Sequence, residues 1–501
     1  MICEKEEKRR NDLPRTLRDA FCSYEGIREM SLCSYPEAKS VTGLSESRHF
    51  HYHYSNLSKV SGLLSEDASA YKEIFNFLLW YFVGTCVSEA SEQSTSGIFY
   101  IFGQDMCVLD KRASSCLEGR VYGYQKGAVV SGYKVCFTHL YLDKGWSLPI
   151  AMDLVEPETE GEECYKQDAV SLAVHQLKAL LETKSSPFSA GYCLNQADSG
   201  YGNAKYLSPL YAYDKLINTV RFRAGMKVYK VFSGTQTAKQ NPVIYGDTYY
   251  LNAQTQTKTY HTKQHKTGAP QTIHKSQISI MDCPADSYVQ DTIVLSNGRT
   301  AIRKIWCWKN FLLRSKKGNN MKDKPFNILK VEIWNETGTD KIFDRDMWLS
   351  VNGKGKDNLT PTEVHQYYRT RFEVEGCYRF SKQHLFLDKF QTPEKQHFLN
   401  YLLILLSAWW ILYAAKDEVR FDCPVWQKYL PTNKTALEVE KTPLTPSQVR
   451  KNLANLFDTF DKTPYLPQKS KKGKGREKGT ILTKREKKKP YKKPKKEIKK
   501  E

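Results

Sequence analysis

Three carboxylates stand where chemistry on a phosphate backbone could use them: Asp105, Asp198 and Glu375. Carboxylate oxygens suit Mg²⁺, which keeps several of its waters and needs neither histidine nor cysteine; Mn²⁺ can take the same places. Three such acids gathered at one point can hold two metal ions about 3.5–4 Å apart, one activating an attacking hydroxyl and one steadying the leaving oxygen. Asp110 competes with Asp105 as first acid, although the apolar run Ile98–Phe102 leads into Asp105. Asp198 lies in Ala197-Asp198-Ser199-Gly200-Tyr201-Gly202, a sequence that also explains an aspartate simply as a turn former. Other catalytic patterns are missing. The chain has no G-x-S-x-G, no H-E-x-x-H and no Walker loop, since Gly353-Lys354-Gly355-Lys356 and Gly473-Lys474-Gly475-Arg476 lack its spacing.

Glu375 belongs to a helical stretch with marked charge periodicity. Thr360 can cap it, Pro361 suits its first turn and Glu363 falls at the capping-box position. At about 100° per residue, Tyr368, Arg371, Glu375 and Lys382 fall within roughly a 60° stripe of one long helix. Arg379 joins them, and Glu373 points to the other side. A carboxylate among cations and a tyrosine is an arrangement for gripping phosphates beside a metal-binding acid. The same pattern describes a solvated face laced by Arg371–Glu375 and Glu375–Arg379 pairs, so the other elements must decide between the two.

Those elements alternate in an informative order. Ile98–Phe102 is a buried-strand pattern that delivers Asp105 at its tip. Val135–Leu142 and Ser147–Val155 form a hairpin across Asp143-Lys144-Gly145. A helix from Asp168 to Thr183, a strand from Gly191 to Gln196, a helix from about Ala204 and a strand from Leu216 to Phe222 complete the block. Antiparallel strands first and alternating elements afterwards predict an α/β fold, a ribonuclease-H-like mixed sheet with flanking helices and acids at strand ends. Residues 226–345 break the pattern with a polar stretch followed by strand-like runs, and are expected to be a β-rich insertion. Met347–Val351 returns to strand before the helix opened by Thr360. Phe398–Ala415 is apolar enough to raise a membrane span, but its length is at the lower limit for crossing, and a buried core helix is expected.

Composition bounds the partners. The chain has 501 residues and a formal charge of +21, which favours a polyanion such as nucleic acid. Between Lys469 and Glu501 stand 17 basic residues and 4 acidic ones, so much of that excess belongs to a low-complexity tail that cannot bury a core. None of the 13 cysteines forms a C-x-x-C pair and no secretory leader is evident, which predicts reduced thiols in a cytoplasmic setting. The alternating histidines of His49–Tyr54 lack a Cys or acid at ligand spacing, and a tyrosine-rich surface or DNA-contacting segment is expected there.

Tyr368, Arg371, Glu375 and Lys382 match, position for position, the Y-x2-R-x3-E-x6-K signature of a large group of bacterial insertion-sequence DDE transposases, and the chain resembles that family over roughly residues 95–415. Asp105–Arg120 with Val121–Gln125 resembles its first-acid region, and Asn195–Leu207 its second; Met106 and Cys107 stand where members often carry Thr. The resemblance implies that Asp105, Asp198 and Glu375 bind the metals, and that Tyr368, Arg371 and Lys382 contact phosphates at an element's end, with Arg379 beside them. It implies that a tryptophan of the insertion stabilises a flipped base; Trp306, Trp308 and Trp334 are available, although strand tryptophans are more often core. The expected organisation is an end-binding helical module (1–92), a catalytic domain in two parts (97–225 and 346–420) around the insertion (226–345), a helical segment (421–462) and the Lys-rich tail (463–501). Its partner would be double-stranded DNA, bound as a homodimer near the bacterial nucleoid and away from membranes. A ribonuclease-H-like nuclease without strand transfer and a decayed, purely DNA-binding protein are the alternatives.

Overall fold

Alternating apolar residues set up the sheet. In Thr300–Leu312, Ala301, Ile305 and Cys307 are buried, while Ile302, Lys304 and Trp306 on the other face are only half-buried. The computed structural model describes residues 98–460 except 126, 144, 156–167, 183–187, 189–190, 236–242, 262–271, 296–297, 315–317, 391, 393 and 420–443, together with Lys487. The expected N-terminal module, and the tail apart from Lys487, lie outside the described residues. The fold is mixed α/β, with a large mixed sheet and a few helices. Among the described residues the chain divides into two compact units, one holding residues 105–172 and 372 onward, the other holding residues 98–104 and 173–371.

In the second of these units, the first half of β1 (Ile98–Asp110) pairs parallel with β5 (Tyr192–Ala197), which pairs parallel with β6 (Leu216–Phe222). β14 (Met347–Asn352) runs antiparallel to β6, followed by β13 (Phe326–Trp334) and β12 (Thr300–Leu312). β11 (Ser287–Val294) and β7 (Lys227–Val231) both pair with β12, and β8 (Tyr245–Tyr250) pairs with β7. β9 (Gln256–His261) and β10 (Thr272–Gln277) form a separate hairpin. The region expected as an insertion therefore holds β7–β13, and β12 and β13 continue the main sheet. Helix α2 (Ala204–Leu210) links β5 to β6, and α3 (Pro361–Thr370) follows β14. Leu194, Ile217, Ile305, Leu329, Val331 and Leu349 form an apolar cluster completed by Val364 and Tyr368 of α3. Arg303 and His365 are buried too: the Arg303 guanidinium bonds Asp291 (Nε to Oδ1, 2.8 Å) and donates to His365 Nδ1 at 3.1 Å.

In the other unit, β3 (Ala128–Asp143) pairs antiparallel with β2 (Val121–Gln125) and with β4 (Trp146–Leu154), and neighbours β1. The approach to β1 is close. A Cβ on Gly132 would lie 1.8 Å from the Leu109 carbonyl oxygen, so only glycine fits. Helices α4 (Glu373–His384), α5 (Lys395–Ala415) and α6 (Pro446–Phe460) complete this unit. α5 is the apolar helix, and 89% of its most apolar window is covered by protein. Its polar atoms find partners inside: Trp410 Nε1 donates to the Pro149 carbonyl at 3.1 Å and Trp409 Nε1 to Ser381 Oγ at 2.9 Å. Trp146 meets Tyr413 edge-on at 5.4 Å. Helix α1 (Ala169–Glu182) is started by Asp168 accepting from the Ser171 amide at 2.9 Å.

Two expectations are corrected. The long helix from Thr360 is two helices, because at Arg371 and Phe372 the backbone tightens: the Arg371 amide bonds Tyr368 O at 3.2 Å and the Glu375 amide bonds Phe372 O at 3.1 Å, both three residues back. Asp105 is not at a strand tip, because β1 continues to Asp110 with Cys107 and Leu109 buried along β3. Val121–Gln125, read from sequence as part of the first-acid region, forms strand β2.

Candidate active site

The end of β5 is organised by buried amides. Asn195 Nδ2 donates to Tyr206 Oη at 2.7 Å and to Asn218 Oδ1 at 2.8 Å, and the Tyr206 hydroxyl in turn donates to Gln104 Oε1. Gln104 Nε2 reaches the Ala173 carbonyl at 2.6 Å. One tyrosine thus ties β1 to β5 at the residues just before the candidate acids. On the next residue, Gln196 Nε2 donates to Tyr367 O at 2.6 Å and Oε1 accepts from Thr370 Oγ1 at 3.3 Å, so β5 also holds α3. The parallel ladder ends at the pair Gln104–Ala197, and the chain's next residues are Asp105 and Asp198. Asp198 is half-buried; its Oδ1 accepts from the Gly200 amide at 2.8 Å, an Asx turn that fixes the carboxylate.

Tyr368 and Arg371 belong to this unit. Tyr368 is 1% exposed, and its hydroxyl donates to the Ala197 carbonyl at 3.3 Å. Arg371 is also buried, its guanidinium 5.9 Å from the Tyr368 ring centre. Trp308 is buried, stacked on Trp348 at 6.1 Å, and donates to Cys283 O at 2.9 Å. Trp306 is half-buried, tilted against Tyr288 at 5.1 Å with the Lys330 ammonium 5.2 Å from its ring centre. Trp334 carries the Lys304 ammonium 4.2 Å from its ring.

The other unit holds Asp105, Glu375, Arg379 and Lys382. Asp105 is half-buried and its Oδ1 accepts from the Met106 amide at 2.7 Å. Burial pushes the neighbouring Cys107 thiol up; the Lys382 ammonium, hydrogen-bonded to it, pulls the other way, and the Asp105 and Asp388 carboxylates act on it as well. Lys382 is therefore drawn inward toward β1. Lys111 is buried, with Nζ donating to the Asp388 and Phe390 carbonyls, and burial lowers its pKa. Asp110, the rival first acid, is exposed and clamped by Arg112 at 2.7 Å, and the guanidinium hydrogen bonds hold its carboxyl below the usual range. Glu375 is exposed in the first turn of α4, with Arg379 exposed one turn on. Glu373 is half-buried and accepts from the Gly145 amide at 3.3 Å. The expected single stripe is thus divided between buried Tyr368 and Arg371 and outward-facing Glu375 and Arg379.

In donor chemistry, Asp105, Asp198 and Glu375 suit Mg²⁺. Among the described residues, no three His, Cys, Asp or Glu side chains are already drawn together into a metal-binding group. Gln104, Asn195, Gln196 and Tyr206 were missed from sequence. Their signal was the pair Asn195-Gln196 inside a strand that is otherwise apolar and directly precedes Asp198. Compared with known proteins, the chain matches no family model and no curated protein.

Proposed function

We propose that the chain is a DNA transposase, performing metal-dependent cleavage at transposon ends and strand transfer into target DNA. The observation that carries this reading is the β1–β5 register: the parallel ladder ends at the pair Gln104–Ala197, with Asp198 next after the end of β5 and Asp105 next along β1, which itself continues to Asp110. The strand order β4-β3-β1-β5-β6, with helices before and after β5, supports a ribonuclease-H-like sheet, a setting in which ligands gather at strand ends. The Tyr368–Lys382 signature adds Glu375 as third acid. Asp105, Asp198 and Glu375 would hold Mg²⁺, which supplies Lewis-acid activation of a hydroxyl and charge relief at the leaving oxygen.

The chain's own residues do the rest. Tyr206, Gln104 and Asn195 hold the two strands in register. Gln196 and Tyr368 brace α3 against β5, and Arg379 offers a cation to a phosphate. The partner is double-stranded DNA, bound by a dimer. The test uses a labelled DNA end with a free 3′-OH and a plasmid target. The wild type should cut and join with Mg²⁺ or Mn²⁺, and Glu375→Ala should lose cutting by at least ~10²-fold while keeping end binding. Binding with no cutting by the wild type would sink the proposal in favour of a purely DNA-binding protein. Hydrolysis without joined product would favour a nuclease.

A further inference from the structure

We infer that the buried row Asn195–Asn218–Asn352 binds an internal water molecule that bridges β5, β6 and β14. The inference stands on the fold alone and is independent of what the chain does to DNA. The three asparagines are register partners in the β5–β6 and β6–β14 ladders, and none is more than 1% exposed. On the other face of the same strands the neighbouring positions are apolar, with Leu194, Ile217 and Val351 in the core cluster. Asn195 Oδ1, Asn218 Nδ2 and Asn352 Oδ1 are buried and find no hydrogen-bond partner among the described residues. Burying an amide atom without a hydrogen bond is costly, and folded proteins satisfy such atoms with ordered water where no side chain reaches them.

The hydrogen bonds leading into the row fix which atom of each amide is left over. A backbone carbonyl can only accept, so the end of Gln104 that faces the Ala173 carbonyl at 2.6 Å is Nε2. Its Oε1 takes the Tyr206 hydroxyl hydrogen, which leaves the Tyr206 oxygen to accept from Asn195 Nδ2 at 2.7 Å. The same Asn195 nitrogen donates to Asn218 at 2.8 Å, so Asn218 must present Oδ1 to it. A second chain of bonds starts at the Val220 carbonyl. Ser350 Oγ gives its hydrogen there at 3.1 Å, and therefore accepts from Asn352 Nδ2, also at 3.1 Å. What remains is one donor on the central strand, Asn218 Nδ2, with one acceptor on each flanking strand, Asn195 Oδ1 and Asn352 Oδ1. Water is the complement of that set. Its oxygen accepts one bond and its hydrogens donate two, the total of about three that buried waters make. A metal cation fits less well, because one of the three groups offers N–H hydrogens instead of a lone pair.

The test uses the full chain. A crystal structure that resolves ordered water should show one density peak about 2.7–3.2 Å from Asn218 Nδ2 and from both Oδ1 atoms. In solution, Asn352→Leu replaces one acceptor by apolar bulk. Oxygen-17 magnetic relaxation dispersion should then count one long-lived internal water fewer than in the wild type, with the circular dichroism spectrum unchanged. Should that variant fail to fold, the wild-type density decides alone. The inference falls if no peak lies in the row, or if Asn218 Nδ2 bonds Asn352 Oδ1 directly. It falls too if the peak is ringed by six or more oxygens at about 2.3–2.6 Å, which would assign the site to a cation. A folded Asn352→Leu that keeps the full count of long-lived waters would also overturn it.

Discussion

Helices α3 and α4 are separated by only Arg371 and Phe372, yet they are built on different terms. α3 opens with a complete capping box, Thr360 Oγ1 accepting from the Glu363 amide and the Glu363 carboxylate accepting from the Thr360 amide at 2.8 Å. It buries Val364, His365 and Tyr368 against the sheet. α4 has no side-chain cap, keeps Glu375, Gly376 and Arg379 in solvent, and buries Val374, Cys377, Phe380 and Ser381 on its other side. The difference teaches that one periodic charge pattern can serve two jobs. Its first half is a strut buried against the sheet, and its second half turns an exposed polar face to the surface.

That contrast can be broken or sharpened by substitution. The largest effect is expected at Tyr368: Tyr368→Ala removes a buried ring and should cost about 3–5 kcal/mol, read as a fall in urea midpoint. A near-neutral result would mean that α3 is not a strut.

Next comes His365, which burial and the Arg303 and Arg369 cations lower to about 3. The unfolded imidazole titrates near 6.5, so the unfolded chain binds the extra proton between those values and the folded one does not. Stability is complete above about pH 6.5 and should fall by up to about 1.4 kcal/mol per pH unit as the pH drops toward 3. His139, also buried and lowered to about 3, contributes in the same direction. His365→Asn should flatten the slope without abolishing it, and an unchanged slope would contradict the neutral, Arg303-accepting imidazole.

Thr360→Ala, which removes the cap of α3, should cost about 1 kcal/mol in thermal denaturation. The smallest effect is expected on the α4 surface. Arg379→Ala should change stability by less than about 0.5 kcal/mol while weakening DNA binding in a salt-sensitive way. A large loss of stability there would erase the distinction between the two helices.

What could be foreseen from sequence was local. Thr360-Pro361 with Glu363 announces a helix start because its hydrogen bonds close within four residues, and β6 was bounded correctly at Leu216 and Phe222 because the apolar run ends there. The break after Thr370 could not be foreseen, since no Pro or Gly marks it. Periodicity assigns one helix there, whereas the buried positions of Tyr368 and Arg371 follow from the sheet beneath them. The extension of β1 past Asp105 depends on β3, and the Gln104–Tyr206–Asn195 junction joins residues about a hundred positions apart. Candidate acids were visible as residue types in turns and charged runs, but which neighbours hold each in place was not.

The coverage of α5 has a consequence for biosynthesis. A 21-residue apolar helix leaving the ribosome has the length and composition of a segment that a membrane-insertion machinery would accept. Strand β4, whose Pro149 carbonyl and Trp146 ring meet α5, is made long before it. The receptor for the segment can therefore be waiting when the segment emerges, so the order of elements along the chain serves as a safeguard during translation.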